Sequence, residues 1–209
     1  MDIKSVWNSD EKIMWEKALE NYQTAVKSNN TGVAEKLCAM STDDFGAMSG
    51  QDFYRFLVGD YARWKYTDGR IRNHVQSAIE EFHQTHTDHE IKRVLDGILA
   101  INPDDIYLHL ANITRINGIG VAGASGILAL ILPQYFGTVD RFTVENLQKV
   151  YDENSFYGKK LHNMDPQSLS IYDAMTVIQI YREKAEKLNR TLGDGWTPRK
   201  IDMILWSIR

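Results

Sequence analysis

Cysteine and long apolar runs are what this chain of 209 residues has least of. Its single cysteine, Cys38, excludes an internal disulfide, a four-cysteine zinc site and a cysteine-held iron–sulfur cluster. No stretch nears the ~20 consecutive apolar residues that a membrane span needs. The longest, 127–133, has seven residues. The N-terminal ten residues are polar and partly acidic, without the basic-then-apolar layout of a secretory leader, so a cytoplasmic protein without a membrane segment is expected. No fixed-period repeat and no low-complexity linker divides the chain, and alternating strand patterns are scarce.

Charged residues make up 25% and hydrophobic residues 43%, values of an ordinary folded protein, which excludes a wholly disordered chain. At about one and a half times a ~150-residue domain, the chain holds one large domain or two small ones. Net charge is −4, which by itself speaks against a nucleic-acid partner. The charge is unevenly placed. Residues 1–109 carry 12 Lys+Arg against 18 Asp+Glu, and residues 110–209 carry 12 against 10, which directs attention to the second half for an anionic partner.

Apolar spacing is helical nearly throughout. Trp15, Leu19, Tyr22 and Val26 form one stripe, Ile71, Val75, Ile79 and Phe82 a second, and Ile91, Leu95 and Ile98 a third. The longest stripe is Ile171, Ala174, Ile178, Tyr181, Ala185 and Leu188. Start signals are Asn8 before Glu11, Thr87 before Glu90, Asp165 before Pro166 and Thr197 before Pro198. Stop signals sit at Thr67-Asp68-Gly69, Asn102-Pro103, Asn117-Gly118 and Gly193-Asp194-Gly195. An all-α protein of about nine or ten helices is expected, as a single helical domain (1–209) or as two interleaved lobes, one of them built from N-terminal and C-terminal helices.

The informative segment is 115–144. Between Gly118 and Gly126, seven of nine residues are Gly, Ala or Ser, so another backbone or a ligand can come close. Gly118-Ile119-Gly120-Val121-Ala122-Gly123 matches the G-x-G-x-x-G pattern of dinucleotide folds, with Asp140 at a fitting distance beyond it. That reading requires a parallel sheet. The alternative is a helix ending near Ile116, a hairpin over Asn117–Gly120 and a second helix from about Val121 to Leu132. Backbone N–H groups at the start of that second helix suit a phosphate without a lysine cluster.

These residues resemble the helix-hairpin-helix DNA glycosylases, the family of endonuclease III and the adenine glycosylases. The family pattern runs apolar-Pro-Gly-apolar-Gly, a small residue, an aliphatic helix, and an aspartate about twenty residues on. Ile116-Asn117-Gly118-Ile119-Gly120, Ala124, Ile127-Leu128 and Val139-Asp140 fall at matching offsets, and Pro133 and Tyr135-Phe136 precede the aspartate as expected. The likeness covers roughly residues 105–150. It implies DNA as partner, contacted through Asn117, Gly118, Ile119, Gly120 and Ala122, and Asp140 as catalytic aspartate. Asn117 replaces the usual proline, and Asn-Gly is itself a turn pair. Phe142 stands where a histidine is common. Ala122 stands where lyase-active members carry a lysine, so the chemistry implied is hydrolysis of the N-glycosidic bond without strand cleavage, with no cofactor and no metal. Read from the residues alone, Asp140 is also a helix cap, and a module that keeps the fold without chemistry remains the other reading.

Three further groups stand out. His83, His86, His89 and Asp88 look like a metal cluster, but a helix start at Thr87 would split them and leave a surface cluster. Trp64, Lys65 and Tyr66, flanked by Arg63 and Arg70, suit either base stacking or a core rim. Arg182, Lys184, Lys187, Arg190, Arg199 and Lys200 supply the C-terminal positive charge, while Trp196, Met203 and Trp206 suit a helix sealed onto the core.

Overall fold

A computed structural model describes the backbone of residues 1–29 and 32–208, and all their side chains except those of 26–29. The described residues form thirteen helices and no strand, so the fold is all-α. In order they are α1 (Ile3–Trp7), α2 (Lys12–Asn29), α3 (Val33–Ala39), α4 (Thr42–Gly46), α5 (50–65), α6 (Gly69–Thr85), α7 (Asp88–Ala100), α8 (Ile106–Ile113), α9 (Val121–Ile131), α10 (Arg141–Val150), α11 (Phe156–His162), α12 (Ile171–Leu192) and α13 (Pro198–Ser207). The excess over nine or ten comes from α1, α3, α4 and α11. Each has five to seven residues, too short to repeat an apolar stripe. Helix α5 widens into a π-type turn over Leu57–Tyr61.

The chain divides into two units, one made of residues 30–132 and the other of residues 1–29 with 133–209. In the first, α5 packs on α7, α7 on α8, and α8 on α9. Its core holds Phe45, Phe53, Leu57, Tyr61, Ile79, Leu95, Ile98, Leu110, Ile113, Ile127 and Leu128. Each such side chain contributes about 1.5–3 kcal/mol by leaving water. The stripe on α6 is buried from Val75 to Phe82, whereas its first member, Ile71, is exposed. Thr87 caps α7 in a reciprocal box with Glu90, as the spacing predicts.

In the second unit α13 packs on α2, α12 and α10. Trp15 lies at the centre, 6.0 Å from Trp7 and 6.0 Å from Trp196 between ring centroids. Trp206 meets Tyr22 edge-on at 5.5 Å and Met203 is half-buried. The side chain of Val26 lies outside the described residues. Ala174, Ile178, Tyr181, Ala185 and Leu188 bury the long stripe of α12.

Local starts differ from expectation at two places. Asn8 closes α1, its side-chain amide donating to the Lys4 carbonyl, and Ser9 accepts the Glu11 N–H instead. Asp165 closes a turn by accepting the Gln167 N–H, and the following helix begins only at Ile171 under a Ser170–Asp173 capping box. A polar residue three before an acid is a local signal, and an adjacent turn competes for the same side chain. Thr197 and Pro198 do open α13.

Candidate functional site

Helix α8 ends at Ile113, and the chain reaches α9 through a β-turn closed by the Ile119 N–H donating to the Ile116 carbonyl at 3.0 Å. Gly118 occupies the third position at φ +84°, the sign a type II turn requires there. Ile116 and Ile119 anchor the turn in the core, while Asn117, Gly118 and Gly120 are exposed. Ile119 therefore spends both its side chain and its N–H on holding the loop. A Cβ on Gly118 would lie 2.8 Å from the Ala78 Cβ and 3.1 Å from the Val75 carbonyl oxygen on α6, so packing demands glycine here as well. Gly120 is different. Its backbone is extended, and a Cβ there would meet nothing within 4 Å. It is the N-cap of α9 and brings no side chain to the first N–H groups of that helix, next to the half-buried Ala122.

Further along α9 the small residues serve packing. The Tyr61 hydroxyl donates to the Gly123 carbonyl at 2.5 Å, and Cβ atoms on Gly123 and Gly126 would fall 2.6 Å and 2.8 Å from the Tyr66 and Tyr61 hydroxyl oxygens. Burial raises the Tyr66 phenol to about 12 and pushes Tyr61 well above its ordinary value. Trp64 and Lys65 also lie against Gly126, and both are half-buried. Helix–turn–helix geometry without a strand among the described residues removes the dinucleotide-fold reading of Gly118–Gly123.

Asp140 is the half-buried N-cap of α10. Its Oδ1 accepts the Thr143 N–H at 3.1 Å, and its own N–H donates to the Thr143 hydroxyl at 3.1 Å. The loop before it, 133–138, rests on buried polar groups. Asp202 Oδ2 accepts the Thr138 N–H at 2.6 Å, the Tyr181 hydroxyl donates to the Thr138 carbonyl at 3.0 Å, and Arg199 Nη1 reaches the Thr138 hydroxyl at 3.3 Å. Arg199 bonds Asp202 at 2.6 Å and Tyr22 at 2.9 Å. Burial raises the Asp202 carboxyl to about 6, with the Arg199 charge and the Thr138 N–H pulling in the opposite direction. With its side chain 2% exposed, Asp202 is sealed off, so of these two carboxylates Asp140 is the one that is partly exposed. Compared with family models, curated proteins and solved structures, the chain matches none of them.

The Arg199–Asp202–Tyr181–Tyr22 cluster had no signal in the sequence except the i,i+3 spacing of Arg199 and Asp202. The C-terminal cations are also mostly engaged within the fold. Arg182 donates to the Tyr135 carbonyl, Lys184 to the Trp7 carbonyl and Lys200 to the Gly195 carbonyl, and Arg190 pairs with Glu186. The two halves of the sequence are not the two units of the fold. Residues 30–132, which include the hairpin, carry 9 Lys+Arg against 13 Asp+Glu, and the other unit carries 15 against 15. The mild positive charge read along the sequence therefore does not surround the hairpin.

Among the described residues no three His, Cys, Asp or Glu side chains gather to hold a metal. His83 stacks on Tyr54 and bonds Gln51, His86 stacks on Phe82, and His89 belongs to α7. No helix among them is long and apolar enough to cross a membrane.

Proposed function

We propose that this chain is a cytoplasmic DNA-binding protein of the helix-hairpin-helix glycosylase type, acting as a monofunctional N-glycosylase through Asp140. Gly120 carries the reading. Neither its φ nor its neighbours require glycine, and it keeps the space in front of the first turn of α9 open. A DNA phosphate is the chemistry this opening suits, because N–H donors and the positive end of the helix dipole bind it without a cation. Asn117 and Gly118 are exposed beside it, Ile119 holds the turn, and Ala122 keeps the first turn small.

Asp140 supplies the carboxylate. As the bond between sugar C1′ and the base nitrogen lengthens, positive charge grows on C1′ and an ionised carboxylate stabilises it. Water then adds to C1′ with loss of a proton, and the base leaves with the bonding electron pair and takes up a proton. Ala122 offers no amine, so no Schiff base forms there and the strand stays intact.

The test is retention of duplex, abasic-analogue and single-stranded oligonucleotides by the purified chain at low salt, where phosphate binding is strongest. Retention that falls with added salt, and a loss of at least ten-fold in Gly120→Leu, are expected. Failure to retain any of them overturns the DNA reading. For the chemistry, a panel of damaged bases should yield free base and an intact abasic strand, and Asp140→Asn should abolish release. The capping box, which commits Asp140 Oδ1 to Thr143, favours a second reading, a DNA-binding or protein-interaction module without catalysis. DNA binding with no base released from any lesion, or release unchanged in Asp140→Asn, would favour it.

A further inference from the structure

We propose that Arg199, Asp202 and Tyr181 are positioning residues for the Asp140 carboxylate, acting by clamping Thr138 two residues ahead of it. The proposal deepens the glycosylase reading and rests on it only for the chemical consequence. Thr138 is held at all three of its polar groups: the N–H by Asp202, the carbonyl by Tyr181 and the hydroxyl by Arg199. Earlier in the loop, the Pro133 carbonyl accepts the Arg199 N–H at 3.4 Å and the Tyr135 carbonyl accepts Arg182 Nε at 2.9 Å. Phe136 is fully buried, with the Arg182 guanidinium 5.2 Å from its ring centroid. A Cβ on Gly137 would lie 2.6 Å from the Pro198 carbonyl oxygen, so the loop backbone packs too closely there for any side chain. From Pro133 to Thr138 the loop is held by α12 and α13, and two residues later the capping box with Thr143 takes over.

Core stability alone does not account for this arrangement. The Arg199 and Asp202 side chains are 7% and 2% exposed and 2.6 Å apart, and removing both charges from water nearly cancels their attraction. Apolar residues of the same volume would fill the space at least as well. They could not give the Thr138 N–H a directional acceptor or its hydroxyl a donor. A catalytic carboxylate needs that direction, since a displacement of about 1 Å costs on the order of 100-fold in rate.

The full chain carrying Tyr181→Phe, Asp202→Leu or Asp202→Asn would be followed by amide hydrogen exchange and by base release. Tyr181→Phe removes only a hydroxyl and serves where Asp202→Leu fails to fold. Tyr181→Phe and Asp202→Leu should speed exchange over residues 136–141 at least ten-fold, with the amides of α2 and of the middle of α12 unchanged. Asp202→Asn keeps an acceptor oxygen and should retain most of that protection. On a lesion-bearing oligonucleotide, Tyr181→Phe should lower kcat at least ten-fold with KM within two-fold. Faster exchange throughout residues 1–29 and 133–209, no local change, or local loosening with kcat unchanged would each overturn the proposal. Wild-type protein that releases no base while the exchange change stays local would refute the glycosylase assignment and leave the clamp standing.

Discussion

Residues 116–120 and residues 133–140 are both short loops that run into a helix N-terminus, and they are held by different chemistry. The hairpin has two isoleucines in the core, a glycine pressed against α6 and its own backbone turn bond. The aspartate loop has a buried ion pair, two tyrosine hydroxyls and an arginine over a phenylalanine ring. The hairpin ends on a glycine N-cap with open space before it, whereas the other ends on a carboxylate that caps its own helix. Apolar anchors leave a loop's outward backbone donors available. Polar anchors fix the angle of one side chain. The first manner of support suits binding to a backbone, and the second suits a group whose direction matters.

Substitutions in the two loops test that contrast. The largest effect is expected from Gly137→Ala, whose methyl would meet the Pro198 carbonyl, the Tyr181 ring and the Asp202 carboxylate. A loss of about 3 kcal/mol, read by chemical denaturation, is expected because all three obstacles are backbone or held in a hydrogen-bonded network. If the protein accepts this methyl without loss, the aspartate loop is not tightly held.

Next is the pH dependence of the clamp. Asp202 titrates near 6 in the fold, against an ordinary 3.8, and faces Arg199 and the Thr138 N–H, with Asp140 and Tyr181 interacting through charge. The fold thus holds the Asp202 proton more tightly than the unfolded chain does. The stability this adds is fully present below about 3.8 and is lost as pH rises through 6, a change of about 2–3 kcal/mol. Asp202→Asn should flatten the stability curve between pH 4 and 6. An unchanged slope would show that Asp202 is not the titrating group.

Gly118→Ala comes third. Positive φ costs about 1–2 kcal/mol for a residue with a side chain, and contact with Ala78 adds to it, so a loss of about 2 kcal/mol is expected in thermal melts. The smallest effect on stability is expected from Gly120→Leu, about 1 kcal/mol or less, because the side chain would meet nothing and only the N-cap preference of glycine over leucine is lost. The same variant is the one expected to lose oligonucleotide retention. A large loss of stability from Gly120→Leu would mean that this glycine serves packing, and the contrast between Gly118 and Gly120 would disappear.

Helical spacing made the all-α class and most long helices legible, from Ile91, Leu95 and Ile98 on α7 to the stripe of α12. The turn at Asn117-Gly118 was legible too, because few residues other than glycine accept positive φ at that place. Asp140 was legible as a cap from its position before an apolar-periodic run. Two things were not. The run from Gly118 to Gly126 reads as one small-residue segment, yet Gly118, Gly120 and Gly123 meet α6, open space and two tyrosine hydroxyls in turn. The support beneath Asp140 joins Tyr22, Thr138, Tyr181, Arg199 and Asp202, and one of its hydrogen bonds, from Arg199 to Tyr22, spans 177 positions.

Helix class, turn chemistry and caps are local features, because each depends on residues within about four positions of one another. Which charges are buried, which glycine is free of packing and what holds the aspartate loop follow from the packing of the chain on itself. Those outcomes depend on desolvation and on close approach between distant segments, and neither leaves a periodic trace along the chain.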